Sequence, residues 1–355
     1  MAGDTVARSV SKFIYIRVGG QIRWIYPPLN KPNTLPARLS EKNMKLLLTI
    51  VITIFSFVTK GQQLDNTENQ DQDKKGVKYI DLKEGYKIWT KRVGDGKIII
   101  LLIHGSGNNH HCFEIFRDKL DLKKYQLIYY DQLGSNNSDK PTDSSLYNID
   151  RFVNEVEQLR IDLELNEFYI LGHSWGGALA MEYAIKYPNN VKGLIISNKG
   201  YSTPNLINSR VKLWNEIAKG YASGQEIIKQ LESGKQVSDT STLKKIDLDF
   251  ERRYLRTIQP IPEPMVNSRK NNRRFYITNY SSWDIYDRLQ SIKEPTLLIG
   301  GDRDFVDKHE LFQMKKVIPD SYIFICPNGG HFSFWDDSDN YFREVENFIN
   351  KTENK

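Results

Sequence analysis

Cysteine is nearly absent: Cys112 and Cys326 are the only two in 355 residues. Two cannot build the multi-bridge framework of a small secreted scaffold. Nothing in their spacing calls for a bridge, so they read as partly buried thiols. Long apolar runs are scarce too. A spanning helix needs about 20 apolar residues, and the one extended run, 46–58 (LLLTIVITIFSFV), has 13. Most of the chain also lacks a dominant charge. The formal net charge is +6, but residues 1–61 hold nine Lys/Arg against Asp4 and Glu41. That leaves 41 basic and 42 acidic residues in 62–355. A near-neutral domain offers no basic face to nucleic acid, so no nucleic-acid partner is expected.

The basic N-terminal part reads as targeting sequence. Lys42 and Lys45 precede the apolar run, and Gly61-Gln62-Gln63 opens a polar stretch after it. A signal-peptide core spans roughly 7–15 residues, so 44–62 is expected to be a signal peptide cleaved near Gly61 or Gln62. Residues 1–43 then read as a misassigned extension upstream of a true start at Met44. No cysteine follows the run, which argues against a lipid-modified terminus. The expected location is exported, periplasmic or secreted, with no stable membrane insertion after processing. The alternative is a short, tilted, uncleaved anchor.

What is present is a core-forming composition, 39% apolar and 12% aromatic. Residues 63–76 are polar and aperiodic and read as a linker. Strand-like runs follow at 78–82, 86–92 and 97–103, the last apolar throughout and suited to burial on both faces. Strands at 126–130, 168–171 and 194–197 then alternate with helical spacing at 149–163 and 175–187. Such alternation predicts an α/β, mostly parallel sheet with helices on both faces. It breaks between 200 and 290, where helices are expected at 209–222 and 224–231. Strands resume at 295–299 and 322–325, with a helix at 308–316 and a closing helix at 341–350. The layout is a core, 77–199 and 291–352, interrupted by a helical cap, 200–290.

The chemistry sits at Gly172-His173-Ser174-Trp175-Gly176, a G-x-S-x-G between a strand and a helix. This context makes a sharp turn that lifts the serine above the sheet, with the helix N-terminus behind it. Gly172 and Gly176 leave room for the turn because they lack Cβ. A serine hydroxyl needs a base, and the base needs an orienting acid. The order Ser, acid, His selects His331, in Pro-Asn-Gly-Gly-His, over His309 in a helix. For the acid, Asp304 has the G-x-x-D spacing after the strand, Asp302 is the runner-up, and Asp307 suits a helix cap. The oxyanion hole needs two backbone N–H groups, assigned to Trp175 and Ser106, with His104 shaping the loop. His110 and His111 are adjacent and expected to diverge, as loop residues rather than metal ligands. Neither a metal nor a cofactor is expected.

These residues resemble the proline iminopeptidase family, serine peptidases of the α/β-hydrolase fold. The similarity runs from about Val77 to about Phe348. Its most specific pieces are the segments YDQLGSNNSDKP at 130–141 and LGHSWGG at 171–177, with Glu182-Tyr183-Ala184 and Trp283-Asp284-Ile285 in support. The resemblance implies a Ser-Asp-His triad, no metal, and release of N-terminal residues, often proline, from short peptides. Two departures stand out. The loop His104-Gly105-Ser106-Gly107-Asn108 replaces the family's His-Gly-Gly-Pro-Gly. Phe305 follows Asp304 where the family's aminopeptidases place an acid for the substrate's α-amine. No acid occurs between Glu263 and Asp284, while Arg269, Lys270, Arg273 and Arg274 do; these four are either a solvated face or a wall that repels an ammonium. The substrate is thus expected to be a small peptide or small acyl compound. A carboxylesterase, lactonase or amidase, and an inactive binding module, are the alternatives.

Overall fold

The computed structural model describes residues 15–18, 21–24, 75–272 and 277–355. The expected signal, most of the linker, and Arg273 and Arg274 lie outside the described residues. Tyr15–Val18 and Gln21–Trp24 pair as a short antiparallel hairpin. The main sheet has eight strands: β1 (Val77–Asp81), β2 (Lys87–Val93), β3 (Ile98–Ile103), β4 (Tyr125–Asp131), β5 (Phe168–His173), β6 (Gly193–Ser197), β7 (Thr296–Gly301) and β8 (Ser321–Cys326). Their order is β8-β7-β6-β5-β3-β4-β2-β1. Pairing is parallel from β8 through β4, and antiparallel where β2 meets β4 and β1. An Ile-Ile-Ile-Leu-Leu-Ile strand can sit mid-sheet only if both faces are covered. Alternating side chains divide between them. Ile100 and Leu102 join Phe113, Phe116 and Phe334 on one side. Leu101 and Ile103 join Phe152, Val156 and Met181 on the other.

The covering helices follow from local signals, beginning with the short α1 (Ile115–Lys119). In α2 (Ile149–Asp162), Asn148 caps the start by accepting from the Arg151 N–H at 2.9 Å. Its buried Phe152, Val153, Val156 and Leu159 form the core-facing stripe. α3 (Trp175–Lys186) ends before Pro188, which cannot continue a helix. The closing helix, Ser338–Glu353, covers the opposite face with Tyr341, Phe342, Val345, Phe348 and Ile349. It begins earlier than the apolar spacing alone suggests.

Between β6 and β7 lies a helical insertion. It contains α4 (Thr203–Ala218), α5 (Gly224–Glu232), α6 (Thr240–Phe250), a π-turn at Glu251–Leu255 and α7 (Glu263–Asn267). α4 starts six residues before the expected helix because Ser202 caps it and Pro204 suits its first turn. α6 was not expected; Asp239 caps it by accepting from the Thr242 N–H at 2.9 Å. The insertion is tied to the sheet's loops at several points. The Tyr254 carbonyl accepts from the His331 N–H at 2.9 Å. Asp336 accepts from the Thr257 and Ile258 N–H groups at 2.9 and 2.8 Å. Asn272 Nδ2 donates to the Gly107 carbonyl at 3.1 Å. Among the described residues, no helix is long and apolar enough to cross a membrane.

The backbones of α3 and β3 meet closely at Gly176, where an added Cβ would stand 2.0 Å from the Ile103 carbonyl oxygen. Both partners are held by regular structure, so neither can yield cheaply. Gly176→Ala is expected to lower stability by at least ~2 kcal/mol, since overpacking of a dense core costs about 1–3 kcal/mol. A urea denaturation midpoint matching the wild type would contradict this packing.

Candidate active site

Ser174 follows β5 and precedes α3, with φ 54 and ψ −118. A non-glycine residue there is strained by about 1–3 kcal/mol. The turn persists because its flanks are fixed. The Ser174 N–H donates to the Ser197 carbonyl on β6 at 2.9 Å. A Cβ on Gly172 would stand 2.3 Å from the Gly176 oxygen, so the strand and helix can meet only over glycine.

The loop after β8 delivers His331. Its Nε2 lies 2.9 Å from Ser174 Oγ, and its Nδ1 lies 2.9 Å from Asp304 Oδ1. With Asp304 ionised, this geometry makes Nδ1 the donor and leaves Nε2 to accept from the hydroxyl. His331 is 5% exposed, and the Asp304 side chain is 1% exposed. Asp304 Oδ1 also accepts from the Val306 N–H at 3.0 Å. The rivals are elsewhere. Asp302 pairs with Lys308 on the surface at 2.5 Å. Asp307 caps Lys308–Val317 by accepting from the His309 N–H at 2.9 Å, and His309 is exposed.

One member of this group was not foreseen. Asn198, just past β6, donates through Nδ2 to Asp304 Oδ2 at 2.9 Å. The same nitrogen also reaches the Gly330 carbonyl and Ser333 Oγ. Its φ of 53 lies in the left-handed region that asparagine tolerates better than most residues. That an asparagine closes β6 was the only signal in the sequence.

The expected oxyanion donors lie on either side of Ser174. Trp175 is the first residue of α3, where helix geometry leaves the N–H without an intrahelical partner. Ser106 is in the loop after β3, and a Cβ on neighbouring Gly105 would stand 3.2 Å from the Ser174 Cβ. Gln132 joins the two sides. Its Nε2 donates to the His104 carbonyl at 2.8 Å, and its Oε1 accepts from Trp175 Nε1 at 2.9 Å. Burial lowers the pKa of His104, whose ring bonds its own loop at the Gly105 carbonyl. Burial likewise holds His173, beside His331, well below the usual value and therefore neutral.

Two expectations need correction. His110 and His111 do not diverge: a 3-10 turn, His110–Phe113, brings their rings together, tilted by 34° with centroids 4.1 Å apart. Acids are also present, with Asp131 on His110 and Glu114 on His111. Among the described residues, ligand atoms of His110, His111 and Glu114 lie within 4.8 Å of one another. His110 Nδ1 is already engaged by Asp131 at 2.9 Å, which pins the loop after β3 to the end of β4. Nor is Arg269 a solvated cation. Its side chain is 19% exposed and lies 3.4 Å from Glu251; Lys270 is exposed. Cys112 and Cys326 are free and buried, and burial raises both thiol pKa values, which leaves them poor nucleophiles.

Comparison with known proteins places this geometry. The family described as alpha/beta hydrolase fold matches residues 98–338, more than half of the chain. A proline iminopeptidase of Flavobacterium johnsoniae is 35% identical over 283 residues, 75% of this chain and 94% of that protein. One of Elizabethkingia meningoseptica is 35% identical over 291 residues, 76% and 96%. Among solved structures, VinJ superposes with a TM-score of 0.69 at 19% identity, covering 78% of this chain and 98% of that one. Proline iminopeptidase of Mycobacterium smegmatis superposes with a TM-score of 0.66 at 20% identity over the same shares. These two likenesses concern the fold, while the sequence relatives carry the family. A serine on a strained turn, within bonding distance of a histidine and in a chain so related, is that of a serine hydrolase, and the chain belongs to the proline iminopeptidase family of α/β-hydrolases.

Proposed function

We propose that Ser174, His331 and Asp304 are the catalytic triad of a two-step acyl transfer that releases N-terminal residues from short peptides. The observation that carries this is the pair of 2.9 Å contacts at the two ring nitrogens of His331. His331 takes the Ser174 proton as Oγ attacks the scissile carbonyl, then returns it to the leaving amine. Asp304 holds the ring's tautomer and stabilises the imidazolium. The N–H groups of Ser106 and Trp175 receive the oxyanion, each worth about 3 kcal/mol. Water then attacks the acyl-enzyme with His331 as base. Asn198 acts as a positioning residue through Asp304. In this reading 77–199 and 291–352 form the catalytic core, and the insertion in 200–290 is a cap over it.

Amine recognition falls to the cap. Of its acids, Asp247 accepts from Trp214 Nε1 at 2.9 Å, and Asp249 from the Tyr221 hydroxyl at 2.8 Å. Glu251 opens the π-turn whose Tyr254 carbonyl bonds the His331 backbone, and we assign it the substrate's ammonium. Glu251 is paired with Arg256 and Arg269, so an incoming amine competes with two guanidiniums. That competition favours a second reading, an esterase or amidase that requires no free amine.

Several measurements separate these readings. A fluorophosphonate probe is expected to label the wild type and not Ser174→Ala; labelling of both would remove Ser174 from the nucleophile's role. Proline β-naphthylamide is expected to be cleaved about a hundredfold faster than its N-acetyl derivative, since a site built to bond a polar group rejects an analogue lacking it. Equal rates, with ready hydrolysis of p-nitrophenyl acetate, would favour the esterase. Asn198→Ala is expected to lower kcat about tenfold with little change in KM and to shift the acid limb of the pH profile, in line with ~1.5–3 kcal/mol for a hydrogen bond to a charged group. An unchanged kcat would make Asn198 merely structural. For export, a mature N-terminus near Gly61 or Gln62 is expected on sequencing the extracytoplasmic protein; an intact terminus would favour the anchor.

A further inference from the structure

Three arginines from separate parts of the insertion converge beside His331. Arg210 lies on α4, Arg256 just after the π-turn, and Arg269 just after α7. The Arg210 guanidinium lies 5.2 Å from the centroid of Phe305, and Phe305 packs 4.2 Å from the His331 ring. Arg256 is buried two residues after Tyr254, whose carbonyl bonds the His331 N–H. Arg269 precedes Asn272, which donates to the Gly107 carbonyl in the loop beside Ser174. Glu251 is the carboxylate paired with Arg256 and Arg269.

Among the described residues, Arg210 makes no hydrogen bond or ion pair, and its buried Nε has no partner. The buried Nε of Arg256 has none either. The Asp247 charge favours protonated Arg210, but its carboxylate is bonded to the Trp214 indole. A ring face attracts a guanidinium without neutralising it, so Phe305 holds Arg210 near the reacting atoms with its Nε donor unspent. The arginines also strain one another electrostatically. Burial lowers Arg210 to about 10 and Arg256 to about 9, and the Arg269 charge adds to both shifts. A planar fork of donors left unmatched is the complement of a carboxylate.

We propose that Arg210, with Arg256 and Arg269, binds a carboxylate of the substrate, so that Ser174 acts on acyl compounds bearing that anion close to the scissile carbonyl. The inference rests on Ser174 as nucleophile. An extended chain covers roughly 3.5 Å per residue, so the shortest peptides carry their C-terminal carboxylate nearest the scissile bond. A short peptide also carries the charge that resolves the competition at Glu251. Its ammonium takes Glu251, and its carboxylate takes the guanidiniums that Glu251 releases. The Phe305 position thereby exchanges an acid that would read the amine for a ring that presents a cation.

Matched substrate pairs test this on the full-length processed enzyme. One pair is Pro-Gly against Pro-Gly amide; the other is p-nitrophenyl hydrogen glutarate against p-nitrophenyl valerate. In at least one pair, kcat/KM is expected to favour the charged member about tenfold or more, with the ratio falling to about one in Arg210→Met or Arg269→Met. The peptide pair places the carboxylate on the leaving group, and the ester pair places it on the acyl group. The ester pair needs no free amine, so it reads the anion site even if amine recognition fails. No preference in either pair overturns the proposal, as does a preference that survives in both variants. Should the variants fail to fold, competitive inhibition of the wild type by propionate against propionamide decides: stronger inhibition by propionate is expected, and equal or no inhibition by the two contradicts the anion site.

Discussion

The turn at Ser174 is the constraint around which the rest is arranged. A serine at φ 54 resists its own backbone, and only its surroundings keep it there. Gly172 and Gly176 let strand, helix and the end of β3 touch at distances no Cβ would allow. The bond from the Ser174 N–H to Ser197 anchors the turn to the next strand. The strain of about 1–3 kcal/mol is offset by a sheet buried on both faces. In return the hydroxyl stands clear of the strand, at the N-terminus of a helix.

Strand order explains why the partners arrive where they do. β5, β6, β7 and β8 are successive neighbours in the sheet. The turn or loop after each contributes one part of the site: Ser174, Asn198, Asp304 and His331 in turn. In open parallel sheets, sites form outside the carboxyl ends of the strands. The loops after β3 and β4 close the other side through Gln132, which bonds both the His104 carbonyl and the Trp175 indole. Each residue reaches the site from a short loop on a rigid strand, and the insertion steadies the last of these loops through the bond from the His331 N–H to the Tyr254 carbonyl.

Much of this was legible because it is local. The elbow is five consecutive residues, and the apolar runs of β3 and β5 declare themselves without context. Asp304 could be favoured over Asp302 and Asp307 by its spacing from the end of β7. What escaped depends on contacts between distant segments. Asn198 acts on an aspartate 106 positions away, and a lone asparagine after a strand is an ordinary loop residue. Adjacent side chains such as those of His110 and His111 diverge on a regular backbone, but a 3-10 turn brings these two rings together. α6 has a polar sequence that masks its few core contacts, Leu243, Ile246 and Phe250. The arginines beside His331 come from three segments, and only Arg269 lies in the basic stretch that the sequence singled out.

In the proposed reading, the insertion determines the substrate and the core determines the chemistry. Ionic contacts between Glu251 and two arginines hold the insertion's charge in balance, and a zwitterionic peptide can exchange both halves of that balance at once. All of this presupposes a covalent acyl-enzyme at Ser174. Mass spectrometry of the enzyme quenched during turnover of a slow p-nitrophenyl ester tests that presupposition most directly. The account predicts one acyl adduct, on the peptide that contains Ser174, appearing with a burst of one equivalent of p-nitrophenolate. Turnover without an adduct, or an adduct on another residue, would contradict it.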